Sequence, residues 1–379
     1  MKRILVYFQQ VGGVQALWPW LTKIKAGYSL ILAARAVVRH RKPDLDLSSV
    51  NDLGWNPDSE DPGWLARLGA DLVVTDTMNL ARDPEGIHGR LLWTAAGKTG
   101  IPILAYVDSW WGYIERFLLP GETSPPVLPD VIGVVDDLAR RQMIGLGFDP
   151  RPIRVLGCPR FETMAAAIER NGFRVRLGLA PENLFLVFVS QPLEKALRGL
   201  DDWGFTEKTI LRALVHAVNA LPEDLRRRMV FGVLLHPEEE SPDLTELTRG
   251  LDPMVRCRFF RENPNLDLIR AADLVVGMFS ILLTEAVIIK RPVLSVQLGL
   301  KREDMLVTNM VGATVPVRRA EELSGALSGA IGDVRVRLEM LERQARFQIV
   351  GDSIQRWQDA VEELLAVRDK TAERQKLNS

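Results

Sequence analysis

Five stretches of this sequence set reactive residue types at spacings that suit a ligand site. In Asp273-Leu274-Val275-Val276-Gly277-Met278-Phe279-Ser280 an apolar run ends at Gly277, Ser280 stands where it can cap the next helix, and Glu285 falls on that helix's second turn. The first amides of such a helix offer donors to a pyrophosphate, and a carboxylate deeper in the site accepts both hydroxyls of a ribose. The alternative reading is a capped core helix with Glu285 as a solvated charge. Gln10-Val11-Gly12-Gly13-Val14 follows the first apolar run and opens a helical pattern. Adjacent glycines let the backbone turn sharply and come close to an anion, although a strand-to-helix turn also uses glycine for geometry alone. His236, in Leu235-His236-Pro237, and the pair Ser190-Gln191 each end an apolar run. Asp108 does so too, directly before Ser109-Trp110-Trp111-Gly112-Tyr113. Gly97-Lys98-Thr99 looks like the end of a phosphate-binding P-loop, but Leu92 stands where the first glycine belongs, and the segment ends a helix instead of starting one.

The elements that must position these residues alternate along the whole chain. Short apolar runs predict strands at 3–8, 29–32, 72–75, 103–107, 131–135 and 153–156, and again at 185–190, 230–235, 255–260, 274–277 and 293–297. Helix-period segments lie between them, among them 14–26, 89–99, 137–146, 207–221 and 281–289. This is the pattern of crossover helices covering parallel sheets, an α/β fold, and open parallel sheets bind ligands at the carboxyl ends of their strands. At 379 residues the chain has room for two such domains, with a boundary expected near residue 170 after the helix 161–169 and before the polar loop 171–180. From Arg335 to Val367 a helical period sets Leu338, Leu341, Phe347, Ile354, Trp357, Val361 and Leu364 on one stripe. The polar residues 368–379 are expected to fray. The segments 51–62 and 118–129 are the longest expected loops and candidate rims of a site.

Taken together, the Gly12-Gly13 turn, the stretch from Gly100-Ile101-Pro102 to Asp108 with Ile153-Arg154-Val155-Leu156-Gly157-Cys158-Pro159, the His236-Pro237 pair, and Ser280 with Glu285 and Lys290-Arg291-Pro292 resemble the GT-B superfamily of nucleotide-sugar glycosyltransferases. Relatives in that superfamily include the non-hydrolysing UDP-sugar 2-epimerases and the CDP-glycerol polymerases. The resemblance implies two facing Rossmann-like domains with a cleft between them. Residues 1–170 would bind acceptor and 171–349 the nucleotide-sugar donor, with a last helix of about 350–367 returning to the first domain. It implies donor contacts from Ser190, Gln191, His236, Phe279, Ser280 and Glu285. Phe260 and Arg261 would lie at the base, where a core position for Phe260 fits equally. Gly12 and Gly13 would face acceptor or donor. The sequence departs from the commoner Gly-Lys-Pro by carrying Lys290-Arg291 before Pro292.

The activity implied is metal-independent transfer of a sugar from a nucleoside-diphosphate donor to a glycan, lipid-linked or surface-polysaccharide acceptor, with no cofactor. In an inverting reaction a group of the first domain takes the acceptor's proton, and the candidates are Asp108, then Asp76 and Glu115. Trp110 and Trp111 suit a sugar face or plain packing. A 2-epimerase or hydrolase on the same fold is the alternative, and Tyr106-Val107-Asp108-Ser109-Trp110 stands where those epimerases carry His-Val-Glu-Ala-Gly. A non-catalytic nucleotide-sugar binding protein is the second alternative. Lys and Arg number 48 against 49 Asp and Glu, so the chain lacks the basic excess of a nucleic-acid binder. The first 50 residues hold eight Lys or Arg against two Asp, and Arg35, Arg39 and Lys42 share a helical face. Such a face is a solvated helix or a contact to an anionic acceptor or membrane surface. Two distant cysteines indicate no zinc site or disulfide framework, and with no apolar run of ~20 residues the expected location is cytoplasmic or peripheral at the inner membrane surface.

Overall fold

The computed structural model describes residues 1–41, 63–81, 83–124, 127–166, 171–196, 202–237, 239, 242–261 and 265–377. Lys42 and the expected loop 51–62 lie outside them. The chain divides into two compact units, Met1–Thr163 with Ile349–Ser379, and Met164–Gln348.

In the first unit six strands, β1 (Arg3–Phe8), β2 (Ser29–Ala34), β3 (Leu72–Asp76), β4 (Ile103–Val107), β5 (Val131–Val134) and β6 (Ile153–Val155), form one parallel sheet in the order β2-β1-β3-β4-β5-β6. β3, β4 and β5 are buried along their whole length, as strands covered by helices on both faces must be. The order reverses at β1, which pairs β2 on one side and β3 on the other. Connections leave this point in opposite directions, so the ends of β1 and β3 border a crevice.

The second unit repeats the scheme with β7 (Leu184–Val189), β8 (Met229–Leu234), β9 (Arg256–Phe260), β10 (Leu274–Gly277) and β11 (Val293–Ser295), parallel in the order β11-β10-β7-β8-β9. Here the reversal falls between β7 and β10. The helix Glu207–Asn219 starts from a Thr206/Thr209 capping box and buries Ile210, Leu211, Leu214 and Val218 in a core that includes Leu186, Phe188, Phe231 and Val276.

Three expectations change. The predicted loop 171–180 contains the helix Asn171–Arg176, ordered by Arg174, whose guanidinium is bound by the carbonyls of Ala271, Ala180 and Asn183 and by Asp273. The single stripe from Arg335 to Val367 is two helices, Val334–Gln344 and Ser353–Leu377, parted where Asp352 takes φ 54°. Leu338, on the first of them, is exposed. The second helix runs on through the segment expected to fray and reaches Leu377. Its polar end is tied down where Arg368 bonds the Ala70 carbonyl and pairs with Asp71, and where Asp369 pairs with Lys2.

Helix Ser353–Leu377 packs on the first unit. Trp357 is fully buried, with its ring 5.0 Å from Trp20 of helix Val11–Ile24 and 5.1 Å, edge-on, from Tyr106 of β4. The Gly157 carbonyl accepts from the Tyr106 hydroxyl at 3.0 Å and from the Trp357 indole N–H at 3.4 Å. Only glycine fits there, because its φ is +75° and an added Cβ would lie 2.3 Å from Ser353 Oγ. Trp357→Ala is expected to cost about 3–5 kcal/mol, the worth of a buried indole. Urea unfolding followed by fluorescence and far-UV circular dichroism checks it, and a midpoint equal to wild type would contradict this packing.

Candidate functional site

In the first unit the strand ends bring two predicted acids together. Asp76, the last residue of β3, is completely buried, and its carboxylate accepts from the Gln9 amide at 2.7 Å and the Gln10 amide at 3.0 Å. It therefore fastens the turn that leads from β1 into helix Val11–Ile24, across the point where the sheet order reverses. Gly13 is required beneath it, since a Cβ there would fall 2.1 Å from Asp76 Oδ2. Burial pushes the Asp76 carboxyl well above the ordinary Asp range, helped by the nearby Asp108 and opposed by the two amides and Arg116.

Asp108, just beyond β4, keeps 16% of its side chain exposed and accepts from the Gln10 amide group at 3.2 Å and from Arg116 at 3.3 Å. Arg116 is buried and also bonds the Thr77 carbonyl at 2.8 Å, the Thr77 hydroxyl at 2.9 Å and Ser109 Oγ at 2.7 Å. A Cβ at Gly12 would lie 3.3 Å from Asp108 Oδ2, so this glycine keeps the approach to the carboxylate open. Of the three acids, Asp108 alone is both partly accessible and held by cationic and amide donors. Glu115 stands outside this hydrogen-bonded cluster, exposed on the turn Ile114–Arg116, while its neighbour Arg116 enters it. Gln9, Thr77 and Arg116 are the members not singled out from sequence, and Gln10 is read there only as the start of the Gly12-Gly13 stretch; the signal for Thr77 and Arg116 is adjacency to Asp76 and Glu115.

The tryptophans separate. Trp110 is buried, donates its indole N–H to Asp136 at 2.7 Å and stacks on Phe161, so it is a packing residue. Trp111 is half-buried beside the Arg116 guanidinium, which lies 6.0 Å from its ring. Arg35 does not sit on a solvated basic face. It is buried, with its guanidinium on Asp83 at 2.8 Å and on Glu85 at 2.7 Å, while Arg39 is exposed.

In the second unit the loop after β10 meets the end of β7 at the other reversal. The Phe279 amide donates to Gln191 Oε1 at 3.1 Å, and the Phe279 ring lies 4.9 Å from Trp203 and 6.2 Å from Phe205. Ser280 caps helix Ile281–Ile288, its Oγ accepting from the Leu282 amide at 3.3 Å. Glu285 is only 2% exposed on the same helix, which makes it a buried carboxylate and not a solvated charge. Behind the loop, the Met278 carbonyl accepts from Ser295 Oγ and Gln297 Nε2, each at 3.0 Å. Asp304 in turn holds Gln297, Asn309 and Arg318. Lys290 leaves the helix at φ 58°, the left-handed conformation for which the commoner glycine is suited.

At the ends of β7 and β8, Ser190 bonds Glu239 and the Glu239 carboxylate takes the His236 amide, so Glu239 is a site residue that sequence reading missed. Its one signal is the acidic run directly after His236-Pro237. Phe260 turns its ring edge-on to Phe185 at 6.2 Å over Gly232, a packing arrangement, and Arg261 is exposed beyond it. The structure thus gathers Gly12, Gly13, Asp76 and Asp108 at one set of strand ends, and Ser190, Gln191, His236, Phe279 and Ser280 at the other, with Glu285 inside the adjoining helix. Among the described residues no helix is long and apolar enough to cross a membrane.

No protein-family model matches this sequence, and neither does any curated protein. Solved structures do match its fold. UDP-GlcNAc 2-epimerase from Neisseria meningitidis, solved with UDP-GlcNAc bound, is similar at 12% identity and TM-score 0.66, over 96% of this chain and 99% of that one. MnaA from S. aureus, solved with UDP, is similar at 14% identity and TM-score 0.65, over 97% of both chains. HepE from Anabaena, solved with UDP and glucose, is similar at 15% identity and TM-score 0.56, over 97% of this chain and all of that one. The chain therefore has the GT-B fold, built from two Rossmann-like parallel-sheet units.

Asp76 gives a signed pH expectation. Its native pKa lies above the unfolded value, so the native state binds this proton more tightly. The stability contributed is complete below about pH 4 and is lost as pH rises towards the native pKa, by at most ~1.4 kcal/mol per pH unit. Urea midpoints of wild type and Asp76→Asn compared across pH should show the wild-type advantage shrinking as pH rises above about 4. An advantage that grows with pH would contradict the shift.

Proposed function

We propose that this chain is a metal-independent glycosyltransferase that moves a sugar from a nucleoside-diphosphate donor to a glycan, lipid-linked or surface-polysaccharide acceptor. The observation that carries the reading is the pairing of a buried Glu285 with the Ser280-capped start of its helix, beside a strand-end loop braced by Gln191, Ser295 and Gln297. Amides at that start suit a diphosphate, and the carboxylate suits ribose hydroxyls. UDP-GlcNAc, bound by a protein of similar fold, is the first donor to try, and UDP, bound by another, is the first product to test as a ligand.

Asp108 is the proton acceptor in this account. In the inverting form of the reaction it takes the proton of an acceptor hydroxyl as that oxygen attacks the anomeric carbon. The bond from the sugar to the diphosphate breaks, and the leaving diphosphate is stabilised by helix amides and fixed side chains. Arg116 and the Gln10 amide group aim the carboxylate, and Gly12 leaves room in front of it.

A 2-epimerase or hydrolase on this fold is the second reading, because such an epimerase is among the structures of similar fold. Tyr106 argues for transfer. It occupies the first position of the stretch where those epimerases carry His-Val-Glu-Ala-Gly, yet it is fully buried and its hydroxyl is committed to Gly157.

A panel of UDP-, GDP-, CMP- and CDP-linked sugars, read by thermal shift and then by nucleotide release with and without acceptor, tests the proposal. Acceptor-dependent release that persists in EDTA is expected; stabilisation by no nucleotide would end it. Glu285→Ala should weaken donor binding by about 1.5–3 kcal/mol, the worth of hydrogen bonds to a charged group, and unchanged affinity in calorimetry would remove Glu285 from the site. Asp108→Asn should bind donor like wild type and fail to transfer, so a fully active variant would dismiss it as the base.

A further inference from the structure

Glu239 holds its neighbour His236 from both sides. Its carboxylate accepts from the His236 amide at 2.6 Å, and its own amide donates to the His236 carbonyl at 3.0 Å. The other carboxylate oxygen receives the Ser190 hydroxyl at 2.5 Å. Ser190 is in turn fixed to the sheet, where its amide donates to the Leu234 carbonyl at 2.9 Å. Glu239 is 5% exposed and Ser190 3%, so this relay is shielded from water and its bonds are costly to leave unmade.

A serine has one hydroxyl proton. Here it is directed at Glu239, whereas a phosphate oxygen needs a donor. We infer that Ser190 and Glu239 are a buried positioning pair for His236, and that Ser190 serves by holding Glu239 instead of contacting the diphosphate. This rests on the reading of the second unit as the nucleotide site. On this reading His236 meets the ligand in place of Ser190, and the pair fixes the His236 main chain. Burial pushes the Glu239 carboxyl up in pKa, opposed by the Ser190 hydroxyl, the His236 amide and, least, by Arg261.

The test uses the full chain and UDP as probe. Glu239→Ala is expected to weaken UDP binding about tenfold, and Glu239→Gln, which retains an acceptor for the His236 amide, to stay within about threefold of wild type. In a His236→Ala background, Glu239→Ala should add less than about twofold, because groups acting through one residue are not additive. Equal losses from Glu239→Ala with and without the His236 side chain would overturn the inference. So would Ser190→Ala weakening UDP binding equally in both backgrounds, the mark of a direct phosphate contact. Hydrogen exchange of the His236 amide without ligand supplies an independent arm: faster exchange in Glu239→Ala and Ser190→Ala than in Glu239→Gln is expected, and unchanged exchange overturns the pair. If that arm holds while wild type binds no UDP, the nucleotide reading fails and the positioning of His236 stands.

Discussion

Where a parallel sheet reverses its strand order, the two chains leaving the reversal part company, and main-chain amides that would otherwise be satisfied by neighbours face the crevice unpaired. Asp76 meets this constraint in the first unit by placing both carboxylate oxygens on the amides of Gln9 and Gln10. That contact dictates much around it. Gly13 must be glycine, the helix Val11–Ile24 must start where it does, and the Gln10 side chain is delivered to Asp108. The cost is a carboxyl buried and pushed up in pKa, of a kind that clusters at functional sites because such sites tolerate strain that packing elsewhere sustains.

The second unit solves the same problem with neutral groups. Gln191 takes the Phe279 amide across its reversal, and Ser295 and Gln297 hold the Met278 carbonyl. The loop between Gly277 and Ser280 is consequently rigid on both sides, and the start of helix Ile281–Ile288 is aimed by the sheet and not by the loop's own preferences. A site built this way is organised before any ligand arrives, which lowers the ordering cost of binding. The difference between the units is chemical: one presents a partly exposed carboxylate beside a buried guanidinium, the other helix amides, a His and a buried Glu.

Much of the fold was legible in the sequence because buried parallel strands are written as unbroken apolar runs. β1, β4 and β10 were bounded to the residue, and the other strands to within one or two residues. Ser280 and Glu285 were legible for a related reason, since a cap and a carboxylate one turn later have fixed spacing. What the sequence hid depends on contacts between distant segments. Arg116 looks no different from Glu115 until the turn Ile114–Arg116 faces one inward and the other out. Glu239 is one acid in a run of three, distinguished only by Ser190 forty-nine positions earlier. The helix break before Ser353 was masked by a stripe that keeps its apolar period across the gap, and the helix Asn171–Arg176 by a polar composition that one buried arginine overrides.

The central claim is that the strand ends of the second unit, around Ser280 and Glu285, hold a nucleoside diphosphate. A crystal structure of the chain grown with UDP tests it most directly. The account predicts the ribose hydroxyls on the Glu285 carboxylate and the diphosphate on the amides at the start of helix Ile281–Ile288, with Gln191 and Phe279 unmoved. UDP bound at any other place would contradict it.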